Sequence, residues 1–177
     1  NSPSVGQFYA IEVDMAVPYN VYGGLQDNGT WYGSSKNTED NGWHSSGNYG
    51  YKSINGGDGM QVQVDWRDNR TVYSGSQFGN YNRQVIGAVT TSRGPRGSTV
   101  KPNRMLGESA LRFNWQSPII LSRHNQDVFY FGSNKFHRSF SKGDSLVTMS
   151  GNITTNPTKV HVPYGTLSTM SDSPKLF

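Results

Sequence analysis

Three stretches carry the reading of this chain: Val21-Tyr22-Gly23-Gly24-Leu25-Gln26, Val72-Tyr73-Ser74-Gly75-Ser76-Gln77 and Phe129-Tyr130-Phe131-Gly132-Ser133-Asn134. Each is an aromatic strand that runs into a glycine. Tyr22 and Tyr73 are 51 residues apart and Tyr73 and Tyr130 are 57 apart, so one supersecondary unit recurs along the chain. Ahead of each copy lies a segment in which apolar and polar residues alternate, over Gln7 to Asp14, Met60 to Trp66 and Leu111 to Leu121. That period of two is the mark of a strand, and these segments are expected to be the innermost strand of each unit. Turn formers separate the paired strands: Val17-Pro18-Tyr19-Asn20, Arg67-Asp68-Asn69-Arg70 and Arg123-His124-Asn125-Gln126-Asp127. A second turn follows each aromatic strand. Asp27-Asn28-Gly29 suits the positive φ angles of a tight hairpin, and Phe78-Gly79-Asn80 takes the same place in the next copy. Third strands are expected over Thr30 to Ser34, Tyr81 to Ile86 and Phe136 to Phe140.

Composition agrees with an all-β chain of short strands. Gly accounts for 21 of 177 residues and aromatics for 12%, while the hydrophobic total is 33% and apolar runs at helical spacing are absent. The formal charge of +4 raises the question of an acidic partner. The densest basic stretch, Arg93, Arg96, Lys101 and Arg104, lies among Gly, Pro, Ser and Thr and reads as a solvated loop. A recognition helix, an RNA-binding aromatic signature and a sustained basic stripe are all missing, so nucleic acid is not expected as a partner. There are no cysteines, which excludes disulfides and thiolate metal sites. No apolar run reaches the roughly 18 residues of a membrane span. Asn28, Asn69 and Asn152 begin Asn-x-Thr patterns, but in a chain so rich in Asn and Thr these decide nothing.

Repeats of about 50 residues built from four strands are the signature of a β-propeller. The expected architecture is therefore about three four-stranded blades, over 1–56, 57–107 and 108–159, with the start of a fourth over 160–177. Val162 to Ser171 reads as another inner strand and Lys175-Leu176-Phe177 as the beginning of its neighbour. Propellers close with roughly 4 to 8 blades. The chain, which begins at Asn1 without an initiator Met or a signal peptide, is accordingly expected to be a fragment of a larger propeller.

A resemblance sharpens this expectation. Ser139-Phe140-Ser141-Lys142-Gly143-Asp144-Ser145-Leu146 resembles the Asp-box of bacterial-neuraminidase-type (BNR) repeats, Ser-x-Asp-x-Gly-x-Thr-Trp, with Ser141 in place of the Asp and Leu146 in place of the Trp. In those proteins the box is a structural turn between third and fourth strands. Together with Tyr19 to Gly29, Gly56-Gly57-Asp58-Gly59 and Leu111-Arg112-Phe113-Asn114-Trp115 through Pro118, the chain resembles the large secreted BNR-repeat propellers related to sortilin receptors and to xyloglucan-hydrolysing glycosidases. The resemblance implies a secreted, periplasmic or cell-surface protein whose first partner is the rest of its own propeller, or a cleaved companion chain. It implies carbohydrate or peptide as the ligand class.

In a propeller, the loop leading into each inner strand and the turn between second and third strands share one face. On this threading that face gathers Gln26, Asp27, Asn28, Asp58, Gln77, Arg112, Asn114, Asn134 and Lys135. A glycosidase needs two carboxyl groups roughly 5 to 9.5 Å apart, and Asp27 and Asp58 are the one pair that falls there, with Asp68, Asp127 and Asp144 in turns at the other end. Against this stands a plainer reading: Asp27 and Asn28 make a hairpin and Asp58 caps a Gly-rich turn. No residue is assigned as catalytic, and Asp27 and Asp58 are the candidates should the chain be an enzyme. In the xyloglucanase relatives, the resemblance implies, acid and base come from two propellers facing one cleft. A sortilin-like receptor would instead use Arg112 to grip a carboxylate. Trp43 and Tyr49, in the Gly/Asn/Ser-rich insertion from Ser34 to Ser53, are candidates for stacking on sugar rings, whereas Trp31 and Trp115 are expected in the core. His44, His124, His137 and His161 lack metal-ligand spacing. No cofactor is expected; a structural Ca²⁺ held by backbone carbonyls is the one metal left open.

Overall fold

The computed structural model of the chain describes residues 6–38, 49–87 and 97–154. These form twelve strands, β1 (Phe8–Val13), β2 (Asn20–Leu25), β3 (Gly29–Ser34), β4 (Tyr51–Asn55), β5 (Gln63–Val64), β6 (Thr71–Ser76), β7 (Asn80–Val85), β8 (Ser98–Val100), β9 (Ile119–Leu121), β10 (Phe129–Gly132), β11 (Phe136–Ser139) and β12 (Val147–Thr148). They make three four-stranded antiparallel sheets, β1–β4, β5–β8 and β9–β12, each with its strands in chain order. Among the described residues there is no helix, and hence none long and apolar enough to cross a membrane. The fourth unit expected over 160–177 lies outside the described residues.

The 51- and 57-residue steps hold atom by atom. Asp14, Asp65 and Ser122 each follow the first strand of a sheet, and each donates its backbone N–H to the carbonyl six residues on, of Asn20, Thr71 and Val128, at 3.3, 2.9 and 2.9 Å. The aromatic strands β2, β6 and β10 are the second strand of their sheets, as their alternation and terminal glycines require.

Two expected strands are much shorter than the alternation suggested. Of Leu111 to Leu121 only Ile119–Leu121 pairs as β9, and of Met60 to Trp66 only Gln63–Val64 pairs as β5. Pro118 has no N–H to give a ladder. The residues ahead of the short strands make only scattered backbone bonds: the Arg112 and Trp115 carbonyls accept from the turn residues Asn134 and Phe78, and Met60 N–H reaches Gly75 O of the neighbouring strand β6 outside the paired register. Tyr51, read as part of an insertion, begins β4, paired with Gly33.

The chain divides into two compact units, Asn1–Ser76 with Tyr81–Thr99, and Gln77–Asn80 with Val100–Phe177. In the first, Tyr22, Ile54, Val62, Val64 and Val72 form a buried cluster with Tyr32 and Ile86 packed on it, so one face of the β1–β4 sheet is covered by β5 and β6. Tyr22 and Tyr32 stack at 5.6 Å across β2 and β3. Gly24 lets this packing close, because a Cβ there would run into the Met60 carbonyl and the Gly59 backbone. In the second unit Ile119, Leu121, Phe129 and Phe131 are buried on one face of the β9–β12 sheet, with Phe131 edge-on to Phe113 at 5.9 Å.

Candidate functional site

In the first unit the lead-in loop before β5 meets the β2–β3 hairpin. Gly29 N–H donates to Gly57 O at 2.7 Å and Gly59 N–H to Leu25 O at 2.9 Å. Asp58 is buried, and its Oδ1 accepts the backbone N–H of Asp27 at 2.7 Å. Asp27 and Asp58 are thus neighbours, but the bond between them is structural: a carboxylate closing a turn. Asp27 is exposed with φ of 59°, and no hydrogen bond reaches its carboxylate among the described residues. Asn28 Nδ2 donates to Gln26 O at 3.0 Å, and Gln26 N–H donates to Gln7 O at 2.9 Å.

The role of Asp27 is therefore its backbone. Replacing it with Ala places a Cβ-bearing residue without a helpful side chain in the left-handed region, and we expect a loss of about 1 kcal/mol, with Asp27→Gly neutral or stabilising. Urea unfolding of the two variants against the wild type checks this order.

The second unit holds Gln77, Arg112, Asn114, Asn134 and Lys135. Asn134 is buried and doubly tied to Arg112: its Oδ1 accepts the Arg112 N–H and its own N–H donates to Arg112 O, both at 2.8 Å. Arg112 is exposed, and Nη2 donates to Thr154 Oγ1 at 2.8 Å. Asn114 Oδ1 accepts the Trp115 N–H, and Gln77 O accepts from Asn80 Nδ2, each at 2.7 Å. Lys135 Nζ is 2.8 Å from Glu108 Oε2, a contact that holds the Glu108 carboxyl below its usual range. Lys101, whose burial lowers its pKa, donates to Phe78 O at 2.9 Å and Asn80 Oδ1 at 2.8 Å and lies 4.5 Å over the Phe113 ring.

Of the other candidates, Trp43 lies outside the described residues and Tyr49 is exposed beside β4. Trp31 and Trp115, expected in the core, are half-buried. Trp115 meets Phe78 edge-on at 5.4 Å. Trp31 lines a groove of about 490 Å³ on the outer face of the β1–β4 sheet with Phe8, Ile11, Val21, Leu25 and Tyr51. The sheet geometry explains the position of Trp31, since the register places it opposite Gly23 and Ser53, on the face away from Tyr22.

Three buried polar features were missed in the sequence. Asp14 accepts from Ala16 N, Asn20 N, Asn20 Nδ2 and Tyr22 OH at 3.2, 2.8, 2.6 and 3.0 Å. Burial, and then the bond and charge of Asp14, push the Tyr22 hydroxyl above its usual range. At the equivalent place in the second sheet, Asp65 takes Arg67 N, Nε and Nη2 at 3.0, 2.9 and 2.6 Å. The spacing that aligned the tyrosines would also have aligned Asp14, Asp65 and Ser122. The third feature is His137, wholly buried between Ser133 Oγ at 2.8 Å and Thr148 Oγ1 at 3.1 Å. Ser133 Oγ donates to Lys135 O, so it accepts from the imidazole, which places the proton on Nε2 and lets Thr148 donate to Nδ1. A serine–histidine pair sealed in this way cannot reach a substrate. Among the described residues, no cluster of three or more His, Cys, Asp or Glu is placed to hold a metal ion.

Among the described residues, this geometry presents two polar turn clusters, one with an exposed arginine, and an aromatic groove. Comparison with known proteins finds no family, no curated protein and no solved structure that matches this chain, so its function is argued from these residues alone.

Proposed function

We propose that this chain is a non-catalytic binding or scaffold segment of a larger BNR-repeat β-propeller of the secreted or cell-surface kind, related to the sortilin-type and xyloglucanase-type propellers. The observation that carries the reading is the threefold recurrence, at steps of 51 and 57 residues, of a four-stranded antiparallel sheet with the same turn bond after its first strand. A propeller is the architecture that repeats such a sheet face to face. The non-catalytic part of this reading is supported by the chemistry of the best acid pair. Asp58 is buried with an oxygen committed to the Asp27 N–H, which leaves no freely exposed acid–base couple at that turn.

Arg112 favours a second reading, as a peptide receptor segment: its exposed guanidinium, steadied by Thr154, suits a carboxylate partner. Incubation with xyloglucan and related polysaccharides tests the main proposal. No release of reducing ends is expected, from the wild type or from Asp58→Asn. Hydrolysis that is abolished in folded Asp27→Ala or Asp58→Asn would overturn the scaffold reading in favour of a glycoside hydrolase.

A further inference from the structure

The contact between the first and second sheets carries a polar seam beside its apolar cluster. Asn55 Nδ2 donates to Ser74 Oγ at 3.2 Å from one sheet to the other, and Gln84 Nε2 reaches Ile54 O at 3.4 Å. Ser74 is wholly buried and Gln84 nearly so. Two polar atoms of this seam are left over. Thr30 Oγ1 and Asn55 Oδ1 are both shut off from solvent, and neither has a hydrogen-bond partner among the described residues.

The register brings the two residues together. Thr30 on β3 pairs with Asn55 on β4, and at the next step Trp31 pairs with Ser53, which leaves Ile54 as the extra residue of a bulge. Thr30 is wholly buried and lies two residues from Tyr32, so its side chain shares the inner face with the Tyr22–Tyr32 stack. The bond to Ser74 sets Asn55 on that face as well. In β2 the partner of Thr30 is Gly24, and the Gly59 and Met60 carbonyls pack against it, so the patch is polar on both sides.

A buried polar atom left unpaired costs its full desolvation, and folded interiors meet that cost with a protein group or with an ordered water that makes about three hydrogen bonds. The Thr30 hydroxyl can donate or accept, whereas Asn55 Oδ1 only accepts. A water molecule can donate to the amide oxygen and still take either role toward the hydroxyl. We propose that one internal water bridges Thr30 Oγ1 and Asn55 Oδ1 and completes the seam between the first two sheets. All four seam residues, Thr30, Asn55, Ser74 and Gln84, belong to one compact unit, so the inference stands apart from the propeller reading and from whatever lies on the outer faces.

The test compares the whole wild-type chain with Thr30→Val, which keeps the side-chain shape and removes the hydroxyl, and with Thr30→Ser, which keeps the hydroxyl. Oxygen-17 magnetic relaxation dispersion counts the long-lived internal waters, and thermal unfolding reads the cost of losing one. Thr30→Val is expected to hold one such water fewer than the wild type and to unfold about 4 °C lower, while Thr30→Ser keeps the wild-type count. Should Thr30→Val fail to unfold cooperatively, Asn55→Leu takes its place, with the same loss of one water expected. A Tm that rises in Thr30→Val overturns the proposal, because it would show a hydroxyl buried with no partner at all. A lower Tm with an unchanged water count also overturns it, in favour of a direct bond between the two side chains. A wild-type Tm that climbs on adding Ca²⁺ or Na⁺, with the gain lost in Thr30→Val, would put a cation in the water's place and overturn it too.

Discussion

Asp14→Ala is expected to lower stability by about 3 kcal/mol, because it removes one acceptor from four donors at once. The carboxylate is buried and receives two backbone N–H groups, an amide and the hydroxyl of the wholly buried Tyr22. An alanine leaves the Tyr22 hydroxyl and the Asn20 N–H without their partner inside the packed face, where each unmade bond costs the desolvation of its group. For a chain of this size that loss is about 10 °C in Tm. The same position in the third sheet supplies an internal control. Ser122 accepts only from the exposed His124 and Asn125 N–H groups, both at 3.3 Å, so Ser122→Ala should cost less than about 1 kcal/mol. Thermal unfolding of the two variants side by side checks the contrast. Equal losses at Asp14 and Ser122 would mean that the turn, and not the buried carboxylate, sets the cost.

Acid should weaken the fold through His137. Burial lowers its pKa from 6.5 to about 4; the Lys135 charge adds to the shift and Glu108 opposes it. In the unfolded chain the imidazole takes a proton near pH 6.5, while in the folded chain it does so only near pH 4, so between these values the unfolded state binds more protons. Stability from this group is therefore complete above about pH 6.5 and is lost as the pH falls to about 4, a change on the order of 3 kcal/mol. His137→Gln keeps hydrogen-bonding capacity between Ser133 and Thr148 but cannot titrate. The difference in unfolding free energy between wild type and this variant, measured by urea titration at intervals from pH 7.5 to 4, should slope over that window and be flat above it. A difference that does not vary with pH would place the proton on the folded imidazole at an ordinary pKa.

The strands of the second and third positions in each sheet were legible in the sequence because their signals are local. Alternation, aromatic content and turn chemistry sit within a few residues of one another, and the 51- and 57-residue steps locate β2, β6 and β10 without any long-range information. The first strands were less legible. Alternation over Leu111 to Leu121 says which residues can face a core, but whether a ladder forms depends on which backbone groups are free, and Arg112 and Trp115 had been claimed by turns distant in sequence.

The candidate site divides along the same line. That Asp27 and Asp58 belong to one neighbourhood followed from the order of strands and turns, which sequence alone determined. That Asp58 spends an oxygen on the Asp27 N–H, that Trp31 stands on the outer face while Tyr22 stands on the inner one, and that His137 is sealed between two hydroxyls were decided only by tertiary structure. The reason is physical: a side chain's chemistry is written in its type, but its availability is set by burial and by donors brought from tens of residues away, and Asp14, Asp65 and Ser122 show one repeat position acquiring three different sets of partners.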